Sequence, residues 1–277
     1  MSDEHESRRR AYEAGARIAR AKMEREAPEQ AAALDEVVGD DIVVVRGCYD
    51  RVEQVLNALN LPHTAVDPED VGRLRLRAEQ LLVINCPGKI DARAVGKVAR
   101  FVSAGGSLFT TDWALRHVIE PAFPGVLAYN ERPTADDVVR IEIRARDNRF
   151  LSGVLEDGDD PQWWLEGSSY PIRILDPGRV EVLLTSREMA AKYGEAPIAV
   201  LFPWGEGEVL HMVSHYYLQR TELRTARHST PAMAFAASKG VAPSPEMADL
   251  SLGDVESAHA SSRLLANWVA EKKRRRA

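Results

Sequence analysis

Cysteine is scarce in this sequence, with only Cys48 and Cys86 among 277 residues. Two cysteines exclude a disulfide-stapled scaffold and a zinc centre built from cysteines alone. We expect both side chains to be free thiols in a reducing compartment.

Long apolar runs and an excess of positive charge are also missing. No stretch approaches the roughly 18 apolar residues of a membrane-spanning helix, and the start, MSDEHESRRR, lacks the apolar core of a secretory signal. We therefore expect a cytoplasmic protein without a membrane partner. The 36 Lys+Arg against 42 Asp+Glu give a net charge of −6, which argues against nucleic acid as a partner because phosphate contacts need clustered basic side chains.

The composition that is present, 45% apolar and 28% charged residues, is that of an ordinary globular protein. Its changes along the chain predict a helical N-terminal arm (1–38), an α/β domain (39–219), a flexible excursion rich in Ala, Ser, Thr and Pro (220–254) and a C-terminal helix with a basic tail (255–277). The arm has a thin apolar face, so we expect a homo-oligomer or another assembly in which the helical arms find a partner.

Between residues 41 and 113, short apolar runs alternate with stretches of helical spacing. The runs at 42–45, 81–85 and 107–111 are typical of buried strands, and a second short strand is predicted at 63–66. Helices are predicted around 49–59, at 92–104 and from Trp113. This alternation predicts a doubly wound, mostly parallel sheet with helices on both faces. Further strands at 138–143, 163–170, 180–184, 198–202 and 208–213 are expected to complete the sheet and add an antiparallel edge.

Ligands of doubly wound sheets bind beyond the carboxyl ends of the strands. The residues at those ends predict a binding pocket lined by Gly47, Asn85, Cys86, Pro87, Gly88 and Trp113, with Asp112 at the sharp turn after the SLFTT strand.

The motifs in this order resemble the class I glutamine amidotransferase-like superfamily. They are N-C-P-G after a buried strand, F-V-S-A-G-G-S-L at a helix end, the turn at Asp112, and G-E-G-E-V-L-H-M-V-S-H. The resemblance covers residues 42–217, with an insertion at about 125–180. It implies a flavodoxin-like sheet, an oxyanion loop at Asn85-Cys86-Pro87-Gly88, a nucleophile elbow at Asp112 and a late histidine at His215.

Two positions depart from what the superfamily implies. The elbow carries Asp112 instead of cysteine, and Tyr217 replaces the glutamate that orients the histidine. A carboxylate cannot perform the thiolate chemistry of glutamine hydrolysis, so glutaminase activity is not expected. No cofactor is expected.

Two functions stay open. One is a non-catalytic pseudoenzyme that binds a small ligand or a protein partner. The other is a hydrolase-type enzyme in which Asp112 and His215 form an acid/base pair beside the oxyanion loop. In the structural alternative, Asp112 caps the following helix and His215 packs at a sheet edge.

Three further patterns have open or structural interpretations. Cys86 is either a replacement nucleophile or a small apolar side chain. His211 and His215 lie on a strand, where a spacing of four separates them by about 13 Å, so no metal site is expected from them. The EDGDD stretch predicts an exposed acidic turn. The pair Trp163-Trp164 predicts either a platform for a ligand or a packing role, in which one ring points into the core and the other covers an edge.

Overall fold

The computed structural model describes residues 3–217 and 219–275. Its α-helices are α1 (Asp3–Glu26), α2 (Pro28–Asp35), α3 (Val52–Ala58), α4 (Ala92–Ser103), α5 (Glu120–Ala122), α6 (Arg187–Tyr193), α7 (Ala232–Ser238) and α8 (Leu252–Arg274). Its strands are β1 (Ile42–Val45), β2 (Thr64–Val66), β3 (Leu81–Ile84), β4 (Ser107–Thr111), β5 (Leu127–Tyr129), β6 (Asp137–Arg140), β7 (Glu142–Ile143), β8 (Gln162–Leu165), β9 (Ile172–Ile174), β10 (Glu181–Thr185), β11 (Pro197–Trp204) and β12 (Gly207–Met212).

The main sheet has eight strands in the order β2-β1-β3-β4-β12-β11-β10-β7. The first five are parallel to one another, and β11, β10 and β7 follow as an antiparallel edge. Strands β1, β3 and β4 are buried at every position, as continuous apolar runs require when helices cover both faces. The predicted fold class is confirmed, and the order of the parallel strands is that of flavodoxin-like sheets.

Residues at the helix starts determine where the helices between these strands begin. Asp91 caps α4, since its side chain accepts a hydrogen bond from the Ala94 amide at 2.7 Å. The predicted helix from Trp113 begins with a wide π-helical turn over Leu115–Ile119 before α5.

The terminal helices do not extend as arms. Helix α1 packs along α8, and Ile18 and Met23 of α1 are fully buried. A Cβ atom at Gly15 would lie 2.6 Å from the backbone nitrogen of His259, so the two helices approach almost to backbone contact. The apolar face that predicted a partner is therefore covered within the chain, and an oligomer through these helices remains only a prediction.

The segment 220–254 is packed, which differs from the loose excursion its composition predicts. It contains α7, and Phe235, Met247 and Leu250 join Ile18 in a second apolar cluster. The rest of this cluster comes from α1 and from the start of α8. The apolar residues of 220–254 therefore show little periodicity of their own.

The EDGDD stretch forms a turn that is exposed at residues 156–158, as predicted, and its Glu156 and Asp159 also form ion pairs. Lys239 Nζ lies 2.7 Å from Asp159 Oδ2, and Glu156 contacts both Lys22 and Lys239. The two lysine side chains are only 3% exposed, so these carboxylates neutralise buried cations.

The insertion forms its own small sheets instead of extending the main one. Strand β6 pairs with β8, and β5 pairs with β9, both antiparallel. The main sheet takes only the two-residue β7 from this region, beside β10. Trp163 of β8 is fully buried and Trp164 is half-buried, as the inward and edge-covering interpretation predicts.

In the part of the chain that the structure describes, the search for a helix both long and apolar enough to span a bilayer finds none.

The close approach of α1 to α8 predicts that Gly15→Ala destabilises the protein. The added methyl group meets backbone atoms of α8, so the helices must separate, at a cost of about 1–3 kcal/mol that exceeds the gain in helix propensity. The matched control is Gly96→Ala in α4, where the nearest atom is the flexible Arg100 guanidinium at 3.5 Å. We expect this control to raise the free energy of unfolding by up to about 1 kcal/mol in urea titrations. Equal effects of the two substitutions would contradict the packing described for Gly15.

His259 predicts a loss of stability in mild acid. Burial, assisted by Lys239 and Arg263, lowers its pKa to about 4, so the folded state favours the neutral ring. The unfolded chain gains a proton near pH 6.5, and stability therefore falls as the pH drops from about 6.5 to 4, by on the order of 3 kcal/mol. His259→Leu is expected to reduce the slope of the stability curve in this pH range, measured by urea unfolding at several pH values.

Candidate active site

Four parallel strands end around one cavity of about 180 Å³. Tyr49 follows β1, Cys86 follows β3, Asp112 follows β4 and His215 follows β12. Residues of the insertion close the other side, so the full lining is Tyr49, Cys86, Asp112, Trp113, Glu166, Gly167, Ser168 and His215. A cavity of this volume holds several water molecules or a small chemical group.

Asp112 occupies a sharp turn with left-handed backbone, at φ 43°. Its amide donates to the Met212 carbonyl at 2.8 Å, which continues the pairing of β4 with β12 into the turn. Two groups of the insertion hold its carboxylate: the Tyr170 amide donates to Oδ1 at 2.8 Å and the Ser169 hydroxyl donates to Oδ2 at 3.1 Å. Positive φ at a non-glycine residue is uncommon and concentrates at functional sites. The elbow implied by the resemblance is present, with a carboxylate on it.

His215 contacts carboxylates on both sides of its ring. Nε2 lies 3.1 Å from Asp112 Oδ2, and Nδ1 lies 2.9 Å from Glu166 Oε2. The ring is buried, and neither nitrogen is well aligned with its carboxylate for hydrogen bonding. Asp112 and His215 therefore meet in one pocket, and the Asp112 carboxylate accepts hydrogen bonds from Tyr170 and Ser169 instead of capping the following helix.

Cys86 lies in the same cluster. Its Sγ is 3.8 Å from Asp112 Oδ2, and the Cys86, Asp112 and His215 donor atoms lie within 4.8 Å of one another. The side chain is 1% exposed, as expected of a small buried residue, yet its thiol faces the cavity. Cys48 is exposed, and both cysteines are free, as expected.

The electrostatics of the cluster concentrate positive charge on one ring. Burial by itself lowers the pKa of His215, but the contacts with Asp112, Cys86 and Glu166 outweigh burial and hold the pKa well above its ordinary value. Burial raises the pKa of the Cys86 thiol to about 11, so the thiol is neutral near pH 7. Burial also raises the pKa of Asp50, a carboxyl group beside this cluster, to about 6.

The loop Asn85-Cys86-Pro87-Gly88 does not offer the oxyanion hole that the resemblance implies. The Cys86 amide donates to Thr111 Oγ1 at 3.1 Å, and the Gly88 amide donates to the Asn85 carbonyl at 2.9 Å. Pro87 has no amide hydrogen. The donors of this turn are therefore engaged inside the protein.

Of the residues predicted to bind a ligand, Cys86 and Trp113 line the cavity. Asn85 instead holds the start of α3, since Oδ1 accepts from the Val52 amide at 3.3 Å. Gly47 allows the turns after β1 and β3 to approach, because a Cβ atom there would lie 2.1 Å from the Cys86 carbonyl oxygen. Pro87 and Gly88 complete the turn behind the cavity.

Sequence reasoning missed two acidic residues of this site. Glu166 takes the orienting position beside His215, whereas Tyr217 packs against Tyr12 of α1 with ring centroids 5.6 Å apart. Asp50 accepts the Tyr216 amide at 2.8 Å and so fixes the backbone next to His215. The aromatic and hydroxyl cluster around Trp163-Trp164 marks the segment that contains Glu166, but nothing in the sequence pairs that segment with His215.

His211 is separate from this group. Its Nδ1 lies 2.8 Å from Thr110 Oγ1 on the neighbouring strand β4, and burial lowers its pKa to about 3. The ring is a neutral part of the sheet interior, consistent with the expectation that it shares no metal with His215.

Alkylation tests the burial of Cys86. In a Cys48→Ser variant, iodoacetamide near neutral pH should modify Cys86 slowly, because the thiol is buried and protonated. The Cys86→Ser variant provides the control, since its exposed Cys48 should react at the rate of a free thiol, followed by mass spectrometry. Rapid labelling of Cys86 that His215→Ala suppresses would instead identify an activated nucleophile.

Comparisons with known proteins place the fold in a broad context. No protein-family profile matches the sequence, and no curated protein matches it. Among solved structures, the chain is similar to a protein assigned as a GMP synthase subunit from Thermoplasma acidophilum, with a TM-score of 0.46, 12% identity, and coverage of 65% of this chain and 83% of that one. It is also similar to a cytoplasmic protein from Salmonella typhimurium, with a TM-score of 0.44, 12% identity, and coverage of 64% and 88%.

A third similarity is to an exo-β-1,4-mannosidase from Opitutaceae bacterium strain TAV5, with a TM-score of 0.44, 9% identity, and coverage of 64% of this chain. The chain spans only 31% of that mannosidase and 30% of a GH42 β-galactosidase. These values are too low to transfer any activity. The strand order confirms the flavodoxin-like fold that the resemblance implies, and the sharp turn at Asp112 and the late His215 lie at the carboxyl edge of this sheet.

Proposed function

We propose that the protein is a hydrolase-type enzyme whose reaction centre is the pair Asp112 and His215. The observation that carries this proposal is the 3.1 Å contact between His215 Nε2 and Asp112 Oδ2 on the wall of a small cavity. An acid and a base that face the same small space are the elements needed to move protons during hydrolysis.

The burial of this pair favours a functional role. Asp112 is 2% exposed and His215 is 3% exposed, and the Cys86 thiol beside them is buried as well. Removing ionisable groups from water costs stability unless they are paired, and such clusters in a cavity are typical of reaction centres. Three separate strand ends bring these side chains together, as in sites built on doubly wound sheets.

The surrounding contacts define a role for each member. The Tyr170 amide and the Ser169 hydroxyl hold the Asp112 carboxylate, which is positioned to take a proton from a water molecule in the cavity. His215 is positioned to give a proton to a leaving group, and Glu166 on its other nitrogen orients the ring.

The cavity limits the substrate class. A volume of about 180 Å³ admits an acyl or phosphoryl group, and the rest of the substrate must lie outside. Tyr49, which is 51% exposed, packs edge-on to Trp113 with centroids 5.4 Å apart, and these rings form an apolar rim. We infer that the substrate is an ester. Its small polar group enters the cavity, and its flat or apolar portion rests on this rim.

A non-catalytic ligand-binding module is the second candidate. The observation that favours it is the engagement of the loop amides at Cys86 and Gly88, which leaves that turn without donors for an oxyanion. A role in protein assembly remains a prediction from the sequence.

The proposal predicts that p-nitrophenyl acetate or p-nitrophenyl phosphate is hydrolysed above the buffer rate. Asp112→Asn and His215→Gln should each lower kcat/KM by about 100-fold or more, because each removes one proton-transfer group while keeping a side chain of similar size. The absorbance of the released p-nitrophenolate is the readout.

Matched controls are Asp67→Asn and His63→Gln, which change the same residue types outside the cavity and should retain the parental rate. Melting temperatures of all variants report on folding. Variants of Asp112 and His215 that keep the parental rate would refute the proposed pair. Binding of either ester, seen as a raised melting temperature without turnover, would favour the second candidate.

A further inference from the structure

The cluster of Cys86, Asp112 and His215 combines a thiol, a carboxylate and an imidazole around one point. We propose that these three side chains bind a divalent transition-metal ion, with zinc as the ion that this donor set suits best. The inference goes beyond the proposed function but uses two of its residues: with an ion bound, Asp112 and His215 are ligands and no longer act as an acid/base pair. Cysteine sulfur, histidine nitrogen and aspartate oxygen are all established zinc ligands.

The spacing of the donor atoms agrees with one shared ion. Asp112 Oδ2 lies 3.1 Å from His215 Nε2 and 3.8 Å from Cys86 Sγ, and all three donors lie within 4.8 Å of one another. Two ligand atoms bound to one tetrahedral zinc ion lie about 3.3–3.7 Å apart. The three side chains therefore need only small rotations to share an ion.

The groups behind the donors are those that a metal centre requires. Glu166 Oε2 faces the outer nitrogen of His215 at 2.9 Å, the arrangement by which a carboxylate orients a metal-binding histidine. The Ser169 hydroxyl and the Tyr170 amide hold the Asp112 carboxylate in place. Neither ring nitrogen of His215 is satisfied by a well-aligned hydrogen bond, although the ring is buried, and an ion would satisfy Nε2.

Three carboxyl groups lie near the three donor atoms. The Asp112 and Glu166 carboxylates contact His215, and the buried Asp50 carboxyl lies nearby. Binding of the ion would displace the thiol proton of Cys86 and the Nε2 proton of His215 to solvent, which leaves a thiolate, a carboxylate and a neutral imidazole around a divalent charge.

Three protein ligands beside a cavity leave one position open, which is the pattern of catalytic rather than structural zinc sites. An ion at this position would polarise a bound water molecule or a substrate oxygen. It would thereby supply the positive charge that the engaged amides of the Asn85-Cys86-Pro87-Gly88 turn do not supply.

The test is metal binding by the full chain, measured without substrate. Protein stripped with a chelator is dialysed against Zn²⁺ or Co²⁺, and the bound metal is quantified by mass spectrometry. We expect about one equivalent of zinc in the parent, and a near-ultraviolet thiolate-to-cobalt charge-transfer band in the Co²⁺ form.

Variants assign the ligands. Cys86→Ser should abolish the charge-transfer band, and Cys48→Ser, the matched control at the other cysteine, should retain it. His215→Gln and Asp112→Asn should lose stoichiometric binding, and Glu166→Gln should weaken zinc affinity by about 10- to 100-fold through the orientation of His215. Circular dichroism of each stripped variant reports on folding, so loss of structure is not mistaken for loss of a ligand.

A parent that binds less than about a tenth of an equivalent, or a band that survives in Cys86→Ser, would overturn the metal site. The outcome is independent of the proposed hydrolysis. Less than about a tenth of an equivalent of zinc together with ester hydrolysis would reject the metal while supporting the enzyme, and stoichiometric zinc without hydrolysis would support the metal while rejecting the enzyme.

Discussion

The parallel pairing of β12 with β4 is the interaction on which this site depends. Thr111 pairs with Met212, so the chain leaves both strands at the same level of the sheet. Asp112 follows directly, its amide still bonded to the Met212 carbonyl, and His215 follows three residues after Met212. A shift of this register by one residue would turn the side chains of β12 to the opposite face and separate the pair.

The insertion completes what the sheet begins. Its strands β6 and β8 form a separate pair, and the turn after β8 brings Glu166, Ser169 and Tyr170 against His215 and Asp112. The segment is thus a wall of the cavity as well as a structural addition. Glu166 supplies the carboxylate beside His215, and Tyr217 packs against Tyr12 of α1.

The site differs from the chemistry implied by the resemblance in the placement of sulfur. The elbow carries a carboxylate, and the thiol of Cys86 lies on the preceding strand end, where the turn uses its amides for its own structure. The same fold therefore brings a different set of donors to the same edge. Fold similarity alone does not settle what such a set does, since function depends on the groups placed at the site.

Much of the architecture was determined by the sequence alone. The continuous apolar runs at 42–45, 81–84 and 107–111 predict buried parallel strands, and Asp91 predicts the start of α4, because both signals act over a few neighbouring residues. The alternation of strands and helices predicts the edge of the sheet at which the parallel strands end. It thereby predicts that Cys86, Asp112 and His215 lie at that edge.

Tertiary structure decided the features that depend on distant parts of the chain. The burial of α1 requires α8, and the packing of 220–254 requires both, so neither face is recognisable from its own periodicity. Glu166 reaches His215 only through the pairing of β6 with β8, across 49 residues of sequence (215 − 166). The sequence by itself identified which strand ends form the site, because hydrophobic patterns are local, and only the folded chain decided which carboxylates reach the histidine there, because long-range packing sets those contacts.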